Sequence, residues 1–217
     1  GTIIGNLSNA LTISSTGSVL NNNVVRADSG TVIISGTNLA QGPSGVIDAI
    51  NSGVVRLIGG GTISGGRFTT ASGGQIATLS GHTAGVNGVT NTGTLNVVDN
   101  SALLLNGNLT NNGVVAMGSV GNLTDIRTTG NRLIAGTGTI NLSNNSQNRI
   151  VADAAGNSLS LGSGQTLQGA GQIGAGGQLN LTNNGTIIGN LSNALTISSS
   201  GTVTNNKTVR ADSGTVT

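Results

Sequence analysis

The chain of 217 residues has no cysteine, tryptophan, tyrosine or glutamate, and one residue each of proline (Pro43), phenylalanine (Phe68), methionine (Met117), histidine (His82) and lysine (Lys207). Each absence excludes something. Without cysteine there are no disulfides and no thiolate metal sites. Without tryptophan or tyrosine there is no platform on which bases could stack, and lysine and arginine do not cluster, so nucleic-acid binding has no support. Charged residues make up 6% of the chain and the net charge is +2, so the basic character reflects near-neutrality, not a basic patch. No apolar run approaches the roughly 20 residues of a membrane span, and no secretory signal opens the sequence. The lack of an initiating methionine leads us to expect an internal or processed segment. The strong helix formers glutamate, lysine and methionine are nearly missing while glycine numbers 38, which argues against helix. The low hydrophobicity and high net charge that mark disorder are also absent, since Val, Ile and Leu recur in short blocks throughout.

What is present is repetition. Residues 1–33 recur as residues 185–217, at an offset of 184 (185 − 1), with 27 of 33 positions identical. This organisation predicts one structural unit over 1–217, made of one long repeat (1–184) and the start of the next (185–217). It points to an elongated array rather than a compact enzyme domain.

A shorter rhythm runs inside the long one. Turn residues, then Gly, then a β-branched block recur at Gly30-Thr31-Val32, Gly53-Val54-Val55, Gly93-Thr94-Leu95, Gly113-Val114-Val115, Gly138-Thr139-Ile140 and Gly185-Thr186-Ile187. Gly and Asn tolerate positive φ, so these read as turns. The blocks are too closely spaced for βαβ crossovers. They leave an antiparallel meander or an all-β parallel β-helix; the second explains more, with three short strands per coil of about 20 residues and about nine coils per long repeat. Inward Val, Ile and Leu would stack as aliphatic ladders, and inward Asn at corners as amide ladders.

The segment Val24-Val25-Arg26-Ala27-Asp28-Ser29-Gly30 recurs at Thr208–Gly214, with weaker echoes at Val54–Leu57 and Ile150–Asp153. In a strand, residues two apart share a face. Arg26 with Asp28, and Arg210 with Asp212, are therefore expected as outward ion pairs worth about 0–1 kcal/mol. Two stretches break the rhythm: 36–50, with the proline, and 66–92, with Phe68 and His82. Either is a coil with a long turn, which we favour, or a loop protruding from the rod, in the second case carrying Arg67, Phe68 and His82.

The runs GTIIGNLSNALTIS, VRADSGTV, GTGTINLSNN and LQGAGQIGAGGQLNLTNNGTI resemble the repetitive passenger regions of large bacterial surface proteins, the filamentous-haemagglutinin-like adhesins and autotransporters. The resemblance implies a right-handed parallel β-helix, secretion across a Gram-negative envelope, and a role in adhesion, aggregation or surface filaments.

Many β-helices act on polysaccharides, so catalysis is a competing reading. Glycoside hydrolysis needs paired carboxylates. The acids are Asp28, Asp48, Asp99, Asp125, Asp153 and Asp212, two of which are copies of one position, and sugar-stacking aromatics are missing. His82 stands without Cys or Glu, calcium nonapeptides do not occur, and Gly169–Gly174 lacks the helix and acidic partner of a nucleotide loop. A flat threonine array for ice binding does not recur at one phase. The Asn-x-Ser/Thr sites at Asn6, Asn108, Asn122, Asn141, Asn144, Asn180, Asn184, Asn190 and Asn206 read as turn and ladder residues before glycosylation sites.

We therefore expect a non-catalytic structural or adhesive rod segment of an extracellular, bacterial cell-surface protein. It should have no cofactor, metal or nucleic-acid partner and no membrane insertion. Its expected partners are other copies of itself, meeting end to end or laterally, and glycans or cell surfaces. The rivals are a self-assembling filament or sheath without a ligand and, from another class, a polysaccharide lyase or hydrolase.

Overall fold

A computed structural model describes residues 1–217 as strands joined by corners, without a helix. Every named strand pairing is parallel. Partners stand at sequence offsets between 19 (Ile76↔Leu95; 95 − 76) and 27 (Ile140↔Leu167; 167 − 140). This is a parallel β-solenoid with three faces. The first face is a sheet of ten strands, from Thr2–Gly5 and Val24–Asp28 up to Asn180–Asn183 and Val203–Asn205, which counts ten coils. The second face runs from Leu11–Ser14 and Thr31–Ser35 to Thr186–Gly189 and Thr208–Ala211. The third runs from Ser18–Asn21 and Asn38–Gln41 to Leu195–Ile197. Two long strands, Thr139–Ala152 and Thr166–Ile173, turn the corner between the second and third faces without a break, which joins those faces into one sheet. At about 4.8 Å per coil the rod is on the order of 45 Å long.

The coil averages about 22 residues, close to the expected figure of about 20 (Thr2↔Val24 in the first coil). Corners account for the difference: several, such as 71–74, 119–123 and 153–157, take four or more residues where the shortest take one or two.

The core follows from alternation. On the second face, Leu11, Val32, Val55, Ile76, Leu95, Val115, Ile140, Leu167, Ile187 and Val209 stand in register, one per coil. From Val32 to Ile187 all eight are fully buried. Each inward side chain rests on like neighbours above and below, and a space lined on three sides suits aliphatic side chains better than rings. Phe68 is the exception. It is 0% exposed and lies in register between Ile47 and Asn91, so the protruding-loop alternative fails for this residue: strand alternation puts it in the core. Arg67, its neighbour, points outward from the same strand. The stretch 36–50 likewise forms regular strands, Asn38–Gln41 and Val46–Ile50, joined by a turn that holds Pro43.

The recurring corner glycines have a different cause from the one expected. Gly53, Gly93, Gly113, Gly138 and Gly185 do not have positive φ. They recur at the corner where the first face passes to the second, a position that Gly74 fills between Gly53 and Gly93 and Gln165 between Gly138 and Gly185; a Cβ on Gly113 would collide with the carbonyl oxygen of Gly93. The Gly93 and Gly113 carbonyls accept the amides of Val114 and Thr139, at 2.9 Å each, so the contact and the coil-to-coil bond use the same backbone. Positive φ falls instead on residues such as Asn51, Ser52 and Ser29 just before the glycine.

Two stability measurements test this packing. Gly113→Ala should lower the unfolding free energy by about 2 kcal/mol or more in urea titration, because backbone and not a side chain must move. Thr128 lies fully buried between Leu105 and Ala152 with its hydroxyl unpaired. Thr128→Val should therefore raise stability by about 1 kcal/mol, and a loss of stability would show that the hydroxyl is satisfied.

Candidate functional site

Outward side chains are set by neighbours one coil away. Arg26 does not pair with Asp28. Its nearest carboxylate is Asp48 on the next coil, directly opposite in register, at 2.8 Å. Thr69, one coil further, donates to the same carboxylate at 2.7 Å. Asp28 accepts from Asn51 Nδ2 at 2.9 Å. The expected pair is corrected because the next coil sets Asp48 directly opposite Arg26, about 4.8 Å away, and that carboxylate takes the guanidinium. Arg210 and Asp212 do pair, at 3.2 Å, and both are more than half exposed.

The most structured outward cluster lies on the third face, and no sequence motif marks it. Asp125 projects outward yet its side chain is only 2% exposed, covered by two guanidinium groups. Arg127, two residues along, donates Nε and Nη2 at 3.0 and 2.8 Å. Arg149, one coil up and opposite Asp125, donates Nε and Nη2 at 2.8 and 2.9 Å. These bonds hold the Arg149 guanidinium further above its already high ordinary value. Arg127 separates two shallow hollows. One is lined by His82, Thr83, Asn100, Ser101, Leu123 and Asp125, the other by Arg149, Val151, Asp153 and Ala175. His82 sits in the turn that leads into this face, its amide donating to Leu79 O at 3.0 Å.

A projecting corner, 119–123, overhangs the first hollow. Asp99 braces it from the coil below: its carboxylate accepts the amides of Val120 (2.8 Å) and Asn122 (3.1 Å) and the Asn122 side-chain amide (2.6 Å). Val120 and Leu123 are held out into solvent, at 82% and 48% exposure. The Asn122 side-chain bond, followed by that from the Val120 amide, lowers the Asp99 carboxyl below its ordinary value of 3.8.

Corner amides make short contacts through the rod. Asn91 donates to Asn111 (2.8 Å), Asn111 to Gln165 (3.2 Å), Asn183 to Asn205 (2.7 Å) and Asn21 to Gln41 (3.4 Å).

Chemically, the third-face strip offers hydrogen-bond donors beside a small apolar knob. The Asp125 carboxylate already accepts four N–H groups, which leaves it poorly placed to act as an acid or base. No three His, Cys, Asp or Glu side chains gather at one point, and no Asp stands opposite another on paired strands.

No protein-family model matches the chain, and no curated protein matches it. Among solved structures, a crystal structure of a TibC-catalysed, hyper-glycosylated fragment of TibA aligns over 100% of this chain and 99% of that one, at 15% identity and a TM-score of 0.25. A likeness at that level carries no argument about this chain.

The brace on the projecting corner is open to test by pH. A carboxyl lowered on folding contributes stability that is full above its unfolded value and lost as pH falls through its folded value. Amide exchange at Val120 and Asn122, corrected for intrinsic rates, should therefore speed up as pH drops below about 4. Asp99→Asn should show the fast rate at neutral pH as well.

Proposed function

We propose that this chain is a non-catalytic rod segment of a large repetitive protein on the bacterial cell surface or in an extracellular filament, working through multivalent weak contacts. The observation that carries the reading is that one nearly repeated 33-residue sequence builds both ends of a ten-coil rod with a continuous, mainly aliphatic core. Such a core makes a stiff spacer, and its outward rows repeat a side chain at coil spacing. On the second face Thr139, Thr166, Thr186 and Thr208 stand one above another on four successive coils. Rows of this kind present equal donors and acceptors every ~4.8 Å, which favours avidity over any single tight site. Glycans and cell surfaces suit the exposed threonine, asparagine and arginine groups, and lateral contact with other rods uses the same rows. Continued through further repeats, the corner amides would extend into longer asparagine ladders.

The test is microscopy and binding on material carrying many repeats. Rods with a coil spacing of about 4.8 Å that adhere to glycan-coated surfaces, with binding that climbs steeply as repeats are added, are the expected result. Rods that associate only with each other would favour a filament or sheath. Cleavage of a polysaccharide by the purified chain would overturn the reading.

A further inference from the structure

The duplicated sequence folds the same way twice, on different faces. In the first copy Thr2–Gly5 lies under Val24–Asp28, with Thr2↔Val24 through Gly5↔Ala27. In the second copy the partners are Thr186↔Thr208 through Gly189↔Ala211, each displaced by 184 (186 − 2; 208 − 24). The next strand agrees: Leu11↔Val32 becomes Leu195↔Val216 (195 − 11; 216 − 32). Yet Thr2–Gly5 belongs to the first face and Thr186–Gly189 to the second, Leu11–Ser14 to the second and Leu195–Ile197 to the third, Ser18–Asn21 to the third and Val203–Asn205 to the first. The long repeat thus spans eight coils and one further face, which accounts for the offset of 184 between the copies.

The two copies differ in what lies on them. Val24–Asp28 is covered by Val46–Ile50: Val25 is 1% exposed, Arg26 meets Asp48 at 2.8 Å, and Asp28 takes a hydrogen bond from Asn51. The equivalent Val209 is 36% exposed, and Arg210 and Asp212 turn to each other at 3.2 Å. The upper edge of the second copy therefore repeats the template on which residues 38–58 fold, with the same Arg and Asp and open main-chain groups, although Lys207 stands in place of Asn23 and Thr208 in place of Val24. An open parallel edge of this kind favours strand addition.

We propose that the edge formed by residues 203–217 docks residues 38–58 of a second copy of this repeat. The register repeats that of Val24–Asp28 with Val46–Ile50, so Arg210 meets the incoming Asp48 and Asp212 the incoming Asn51. Because each repeat ends one face further round, the rod turns by a third of a revolution per repeat, and any outward feature, such as the Asp125–Arg127–Arg149 cluster, returns to the same side only every third repeat. This inference rests on the duplicated template and not on adhesion, so it stands or falls separately from the proposed function.

The chain has no cysteine, so an introduced pair reports cleanly. In a protein made of residues 1–217 followed directly by residues 34–217, Arg210→Cys combined with Asp48→Cys in the appended unit should close a disulfide under mild oxidation, since adjacent strands place Cα atoms within bonding range. A pair slipped by two residues, Arg210→Cys with Ile50→Cys of the appended unit, should not close. Closure of the first pair within one molecule, or between molecules in the same register, supports the docking. Failure of the first pair, or equal closure of both, overturns it. A charge exchange gives an independent reading. Arg210→Asp should lower the melting temperature by about 2–4 °C, and Asp48→Arg in the appended unit should restore it. Absence of rescue would also count against the docking.

Discussion

Everything in this molecule depends on coil-to-coil register. Main-chain bonds join each strand to its counterpart one coil away, and that single displacement stacks Val32 on Val55, Leu95 on Val115 and Ile140 on Leu167. No strand has a partner within its own coil, so none is stable until the next coil is laid down. The cooperativity is one-dimensional, and the outermost coils are the least protected.

The corners carry the remaining specificity. A chain that turns three times per coil must bring backbones together where side chains would collide. The stacked glycines from Gly53 to Gly138 meet that need through close approach, not through unusual φ. Corner amides close the gaps that the aliphatic ladder leaves open, with Asn91 bonded to Asn111 and Asn111 to Gln165. These groups are buried and paired, so they fix where each corner falls and discourage slippage by a residue, which would turn the core face outward.

Outward chemistry is governed by the same coil-to-coil relation. Arg26 and Arg149 both find their carboxylates on adjacent coils, at sequence offsets of 22 and 24 (48 − 26; 149 − 125). Asp125 thereby collects two arginines and becomes a buried anchor beneath a polar strip, while Asp99 spends its charge on the amides of a projecting corner. Several of the sparse charges hold neighbouring coils together: Arg26 with Asp48, Arg149 with Asp125, and Asp28 with Asn51. Threonine and asparagine, with arginines such as Arg67, are the groups the rod presents to its surroundings.

The repeat, the Gly-Thr-Val rhythm and the alternation of aliphatic with polar residues were enough to read a parallel β-solenoid with three strands per coil, because period-two patterning and turn spacing are local properties. The pairs at spacing 20, Leu95 with Val115 and Leu167 with Ile187, were already visible in that way. The burial of Phe68, the true partner of Arg26 and the Asp125 cluster were not. Each depends on which residue lies one coil above, and corner lengths, which vary from one residue to several, shift that correspondence from coil to coil. The face on which the second copy of the repeat lies has the same origin. Identical sequence determines identical local pairing, whereas the place of that pairing around the axis is the sum of every corner between the two copies.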